Sequence, residues 1–222
     1  MNSTTREVQN PALSETAVFD ITHPDIHAGI ASILRGEPED DVSKAVAFYY
    51  FVRDQISYQV FGTGLREEDL KGSAILRGRK GFCLHKAILF ATLCRSEGIP
   101  CHISAAPVRN HVSSPSLSKL VGGDIFLHWF NEIQLNGKWL KAAPVFSRLL
   151  CQMYNIPPLE FDGHSDAHVQ GHVANSTMEY LEEPIRFEAP PVQELVRHVA
   201  ATHPLMVSGS GRVPSEREIA AL

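Results

Sequence analysis

Cysteine is scarce in this chain: Cys83, Cys94, Cys101 and Cys151 are the four in 222 residues. Their spacing builds neither a dense disulfide framework nor a paired C-x-x-C zinc motif. Free thiols in a reducing compartment are the expectation. Positive charge is also short, since 20 Lys and Arg against 25 Asp and Glu leave a net charge of -5. A broad nucleic-acid surface, which rests on clustered cations, is thereby excluded. Long apolar runs are missing as well, because no stretch approaches the ~20 residues that span a bilayer. The opening MNSTTREVQN has no basic region leading into an apolar one, as a secretory signal would. The sequence therefore predicts a soluble, cytoplasmic protein with no nucleic-acid or membrane partner; it leaves the oligomeric state open.

What is present is globular in character, with 44% hydrophobic and 20% charged residues, enough for one well-packed domain. Residues 1–22 read as a polar, loosely docked leader and 23–190 as the domain. Residues 191–222 read as a C-terminal helix, PVQELVRHVAATHP, followed by a mobile tail with a short helix at its tip. DVSKAVAFYYFVRDQISY, from Asp41 to Tyr58, spaces its apolar residues as one packed helix with Asp41 as N-cap. The charged REEDL and basic LRGRKGF between this helix and Cys83 read as loop. CLHKAILFATLCRSEGIP predicts a helix from Cys83 to Glu97, stopped by Gly98 with Pro100 beyond. CHISAAPV follows as a strand, and NHVSSPSLSKLVGG as a polar loop.

A hairpin comes next, in which DIFLHWFNEIQL and KWLKAAPVF flank Asn136-Gly137, the preferred pair for a type I′ turn. A two-residue loop sets Leu135 opposite Lys138, Ile133 opposite Leu140 and Glu132 opposite Lys141. It also sets Phe130 opposite Ala143 and His128 opposite Val145. Glu132 and Lys141 are expected to attract across the pair. Alternation places Phe126, His128, Phe130 and Glu132 on one face, and Ile125, Leu127, Trp129, Ile133 and Leu135 on the other.

Two residue types in this pattern point to chemistry. Cys83 opens a buried helix, where unpaired amides and the helix dipole favour a thiolate. Arg77, Arg79 and Lys80 just upstream would lower its pKa further on reaching it. A small buried hydrophobe is the competing reading of Cys83. His128, central on its strand, is the candidate base that a cysteine nucleophile needs within hydrogen-bond reach. The competing reading of His128 is a strand histidine without a role. His164, His168 and His172 recur at four-residue intervals, a spacing that would align metal ligands on a helix, but Gly163 and Gly171 discourage a helix there. No metal and no cofactor is assigned.

The run GFCLHKAILFATLCRSEGIPCHI, preceded by AFYYFVRDQISY and followed by DIFLHWFNEIQLNGKWLKAAP, resembles the core of the transglutaminase-like superfamily over about residues 45 to 147. The resemblance implies an α+β, papain-like fold, with helices on the N-terminal side packed on an antiparallel β-sheet. It also implies a nucleophile at Cys83, a base at His128 and acyl transfer or amide hydrolysis through a thioester. The substrate would be a peptide, a protein or a small amide or acyl compound. The family's orienting Asp falls on Ala143, which cannot serve. Asp162 and Asp166, in the loop after the hairpin, are the expected substitutes, one of them accepting a hydrogen bond from His128. Asn110, His111 and Trp129 are the expected substrate-binding residues. The alternatives are a binding module that kept the fold but lost the triad, and a metal-dependent protein using the histidine run.

Overall fold

A computed structural model describes residues 10–36, 40–109, 113–169, 178–207 and 209–222. Its elements run α1 (Pro24–Leu34), α2 (Asp41–Gln55), β1 (Ser57–Tyr58), α3 (Gly72–Gly78), β2 (Lys80–Gly81), α4 (Cys83–Ser96) and β3 (Cys101–Arg109). Then come α5 (Pro115–Val121), β4 (Ile125–Leu135), β5 (Lys138–Ala142), α6 (Arg148–Met153), β6 (Glu179–Tyr180), β7 (Ile185–Phe187), α7 (Val192–Thr202) and α8 (Glu216–Ala220). The main sheet has the order β5-β4-β3-β6, with β7 also pairing β3, and the pairs are antiparallel. The α+β, papain-like architecture expected from the sequence is the one observed.

Helix α4 is the spine. Every residue from Cys83 to Arg95 is buried, so the segment reads as apolar almost all round, the pattern of a core helix. It ends as its glycine requires: Gly98 takes φ +76°, and the Ile99 amide donates to the Cys94 carbonyl at 2.9 Å. Asn131 fastens the helix to the sheet, its side-chain amide donating to the Ala87 carbonyl at 2.9 Å. This places the odd-numbered residues of β4 towards α4. The hairpin has the expected register from Leu135↔Lys138 to Asn131↔Ala142, with Asn136 and Gly137 at φ +48° and +76°, as a type I′ turn demands. Strand β5 ends at Ala142, so Val145 does not pair with His128. Glu132 does not attract Lys141 either. Its carboxylate accepts from Ser104 Oγ at 2.7 Å and pairs with Arg186, and no ion pair joins it to Lys141 among the described residues.

The ends of the described chain are built in more firmly than their composition suggested. Ala12, Val18 and Phe19 are fully buried, so these three anchor the segment 10–22 to the body of the protein. At the other end, Val213 is buried and exchanges backbone bonds with the loop after β1, Gly62 to Val213 at 3.1 Å and Val213 to Thr63 at 2.8 Å. Helix α2 is capped by Asp40, whose Oδ1 accepts from the Ser43 amide, and not by Asp41. The basic stretch before Cys83 is no loop either, since GSAILRG folds as α3.

Arg95 ties three of these pieces together. Its guanidinium lies 4.0 Å from the ring centre of Phe19 and donates to the carbonyls of Cys101 at 2.8 Å, Ser14 at 3.0 Å and Glu188 at 2.6 Å. Burial lowers its pKa to about 10, so it remains charged at neutral pH. Arg95→Leu would strand these carbonyls in a buried site, and a loss of about 3–5 kcal/mol is expected. Arg95→Lys, which has no planar fork, should recover less than half of it. Urea unfolding midpoints measure both; a loss below 1 kcal/mol for Arg95→Leu would rule out this clasp.

Candidate active site

Short strands deliver the thiol. β1 and β2 pair in parallel, Ser57↔Lys80 and Tyr58↔Gly81, which sets Tyr58 beside the start of α4. Gly81 must be glycine, because a Cβ there would lie 2.4 Å from the Cβ of His85. Cys83 then begins the helix against the one stretch of β4 that β5 does not cover. Its Sγ lies 3.8 Å from the Leu127 carbonyl, and the amides of Trp129 and Leu84 favour its ionised form. Burial outweighs them and pushes the thiol up to about 11, so the resting group is SH and not the thiolate expected from the helix start. The upstream cations do not help: Arg77 pairs with Asp25, Arg79 lies over the Phe51 ring, and Lys80 is exposed in β2.

The backbone atoms that touch the thiol flank residue 128, and the His128 side chain projects onto the face away from α4. There it is buried, with Phe130 stacked at 6.2 Å between ring centres and Tyr180 edge-on at 6.3 Å. Burial, with the neighbouring His168 adding to it, pulls its pKa down to about 4. The imidazole is neutral at pH 7. Its Nε2 is buried without a hydrogen-bond partner, and no hydrogen bond joins it to Cys83 among the described residues.

Asp162 and Asp166 do not orient His128. Asp162 is exposed and accepts from the amides of His164 and Ser165, both at 2.8 Å. Asp166 accepts from the Lys141 amide at 2.9 Å. The loop does fold back, but as a backbone ribbon: Ala142 bridges Ala167 in parallel and the Ala143 amide donates to the Ala167 carbonyl. The carboxylates are used up in holding that turn and that edge. Ala143 is buried and, by alternation from Ala142, lies on the His128 face. Trp129 lines the cavity beneath the thiol, while Asn110 and His111 lie outside the described residues. His164 and His168 share no helix, His172 lies outside the described residues, and no group of three metal-ligating side chains occurs among those described.

The histidine that shares a cavity with Cys83 is His203, at the end of α7. This space of about 30 Å³ is also walled by Phe82, Leu127, Val199 and Met206. His203 Nδ1 donates to the Val121 carbonyl at 2.9 Å, and Nε2 accepts from the Leu127 amide at 2.8 Å. Both nitrogens are therefore engaged, and His203 latches α7 onto the edge of β4. No local signal in THP announced this, because the role depends on a partner far away in the sequence.

A family model described as the transglutaminase-like superfamily matches residues 28–144, which runs from within α1 through β5 and includes Cys83, His128 and Ala143. No curated protein matches the chain. Among solved structures, one described as a candidate cysteine protease of Cytophaga hutchinsonii aligns with 17% identity and a TM-score of 0.45. The alignment covers 64% of this chain and 43% of that one. A second, described as a candidate protease of Parabacteroides distasonis, aligns with 15% identity and a TM-score of 0.38, over 60% of this chain and 26% of that one. The aligned region is thus less than half of either structure. No helix among the described residues is long and apolar enough to cross a membrane.

Proposed function

This chain belongs to the transglutaminase-like superfamily, and from that premise we propose that it is a cysteine-dependent acyl-transfer enzyme with Cys83 as nucleophile and His128 as base. The observation that carries the reading is the placing of a thiol, at the start of a core helix, against the backbone on both sides of a buried histidine that has a nitrogen to spare. This reading requires His128 to turn from the far face of β4 towards the thiol; the Cys83 S–H proton then passes to it as sulfur attacks the carbonyl carbon. The C–N, C–O or C–S bond of the donor then breaks, and the proton goes to the leaving group. The resulting thioester is consumed by water or an amine, and the thiol is restored.

A second reading is favoured by one observation, an alanine at position 143 on the His128 face together with an unpartnered Nε2: a module that keeps the fold and binds acyl compounds without turnover. Incubation with an activated acyl ester separates the two. Turnover predicts an acyl adduct on Cys83, found by peptide mass mapping, that decays on dilution, and a Cys83→Ala variant without product. A stable adduct, or none, supports the binding module.

The resting state adds a pH signature. With the thiol near 11 and the imidazole near 4, the pair is neutral between these values and no thiolate–imidazolium pair is stored. Iodoacetamide labelling of Cys83 should rise by nearly a factor of ten per pH unit from 7 to 10, with no plateau below pH 8. Cys94, Cys101 and Cys151, all with no exposed surface, should label more slowly. Faster labelling of any of them would overturn the nucleophile assignment.

A further inference from the structure

A second cavity, of about 190 Å³, adjoins the one beneath Cys83 and shares with it the walls Tyr58, Val60, Leu117 and Phe126. Phe146, Leu150 and Tyr154, brought by α6 and the turn before it, close its outer side. Among the described residues, no Asp, Glu, Lys or Arg lines either cavity. The two serines on the rim are engaged: Ser113 Oγ bonds Ser118 Oγ, and Ser114 Oγ accepts from the Leu117 amide. The Tyr58 ring is held edge-on against Phe146 at 5.1 Å, and its hydroxyl makes no hydrogen bond among the described residues. This leaves an apolar, aromatic chamber with a spare phenolic donor at the junction with the thiol. An apolar cavity of about 150 Å³ holds one benzene ring.

From the shared walls, the missing charge and the volume, we infer that this chamber is the substrate subsite. The acyl donor is an uncharged ester, thioester or amide that carries one aromatic ring, or an aliphatic chain of about six carbons, next to its reactive carbonyl. This inference rests on the acyl-transfer reading and names its substrate class. A carboxylate, phosphate or ammonium near the carbonyl is rejected, since neither cavity offers a countercharge and burying an unpaired ion is costly. The Tyr58 hydroxyl, kept protonated by burial, is the one group at the junction, among the described residues, free to bind a neutral polar atom of the donor.

The test compares three alkylating probes at limiting concentration on the full chain, with the modified residue identified by mass spectrometry: 2-chloroacetamide, its N-benzyl derivative and its N-carboxymethyl derivative. In each, sulfur displaces chloride and the thiol proton is released. The benzyl probe is expected to label Cys83 about tenfold or more faster than the parent, in line with burial of a ring, and the carboxymethyl probe more slowly than the parent. Leu150→Trp, which fills the chamber, should bring the benzyl-to-parent ratio to near one. Tyr154 is half exposed and a variant there should fold, so Tyr154→Arg gives a second arm, in which the carboxymethyl probe gains on the benzyl probe. A ratio near one in the wild type, with Cys83 labelled by all three probes, overturns the subsite and leaves the nucleophile standing. Labelling that avoids Cys83 altogether overturns both.

Discussion

Replacing His128 with alanine is expected to slow acylation of Cys83 by about 10²–10⁴-fold, the range that a positioned general base contributes. The mirror experiment is Ala143→Asp, and its sign is opposite. A carboxylate on the His128 face would supply an acceptor for the buried Nε2 that now has none and would stabilise the imidazolium, which raises His128 from about 4 and brings the thiol down from about 11. A fall of about three units would multiply the thiolate at pH 7 about 10³-fold. A less basic thiolate is also a weaker nucleophile, by about half the logarithm of that gain, so the net acceleration is about 30-fold. The pH profile would acquire a plateau above about pH 9, where the wild type still climbs. Acylation rates and iodoacetamide profiles for the wild type and both variants decide the matter. If His128→Ala keeps the parent's rate, His128 is not the base; if Ala143→Asp folds but leaves the profile unchanged, position 143 does not reach the imidazole.

Acid should unfold this protein early, and histidines rather than carboxylates should set the midpoint. His85 and His128 are both buried, and burial lowers each from an ordinary 6.5 to about 4. Above pH 6.5 both are neutral in the folded and the unfolded chain, so they contribute no pH dependence. As pH falls from 6.5 to 4 the unfolded chain takes up protons that the folded one refuses, and stability drops across that window. Two shifts of this size amount to about 3 kcal/mol each, a large share of the 5–15 kcal/mol that holds a typical domain together. His102, His168 and His203, also lowered by burial, add to the same slope. Urea midpoints at pH 7, 5.5 and 4.5 should fall steadily, with about two extra protons taken up on unfolding near pH 5. His85→Gln should flatten the curve by roughly half. A midpoint that is level from pH 7 to 4.5 is incompatible with buried neutral histidines.

The elements legible in the sequence are those whose signals are local. Gly98 and Pro100 stop α4 within a few residues of where it ends, and Asn136-Gly137 fixes the hairpin register by counting. Helix α3 escaped because seven residues are too few for periodicity to speak, and the Arg and Gly in it look like loop. Phe19 is buried by a cation from α4, and Val213 by a loop after β1. Neither relation leaves a trace in local composition, so both ends read as loose. At the site, the sequence placed Cys83 at a helix start and His128 on a strand, as they are found, but neither the side of the sheet on which His128 lies relative to α4 nor the charge state of the thiol was legible. A helix start favours the thiolate by a modest amount, while full burial disfavours it by more; burial is a property of the assembled fold. Asp162 and Asp166 failed as orienters for a related reason, since backbone amides of the folded loop claim them before His128 can.

His203 and Met206 wall the Cys83 cavity from the far end of the sequence, and this gives the site an order of assembly. During synthesis, at about 5–20 residues per second, the segment that bears Cys83 leaves the ribosome on the order of ten seconds before the segment that bears the latch. In that interval α4 can form, but the edge of β4 carries no imidazole on the Leu127 amide and the thiol has no lid. The newborn chain therefore passes through a stage in which the Cys83 thiol is more open to solvent and to oxidants than it is once α7 has docked.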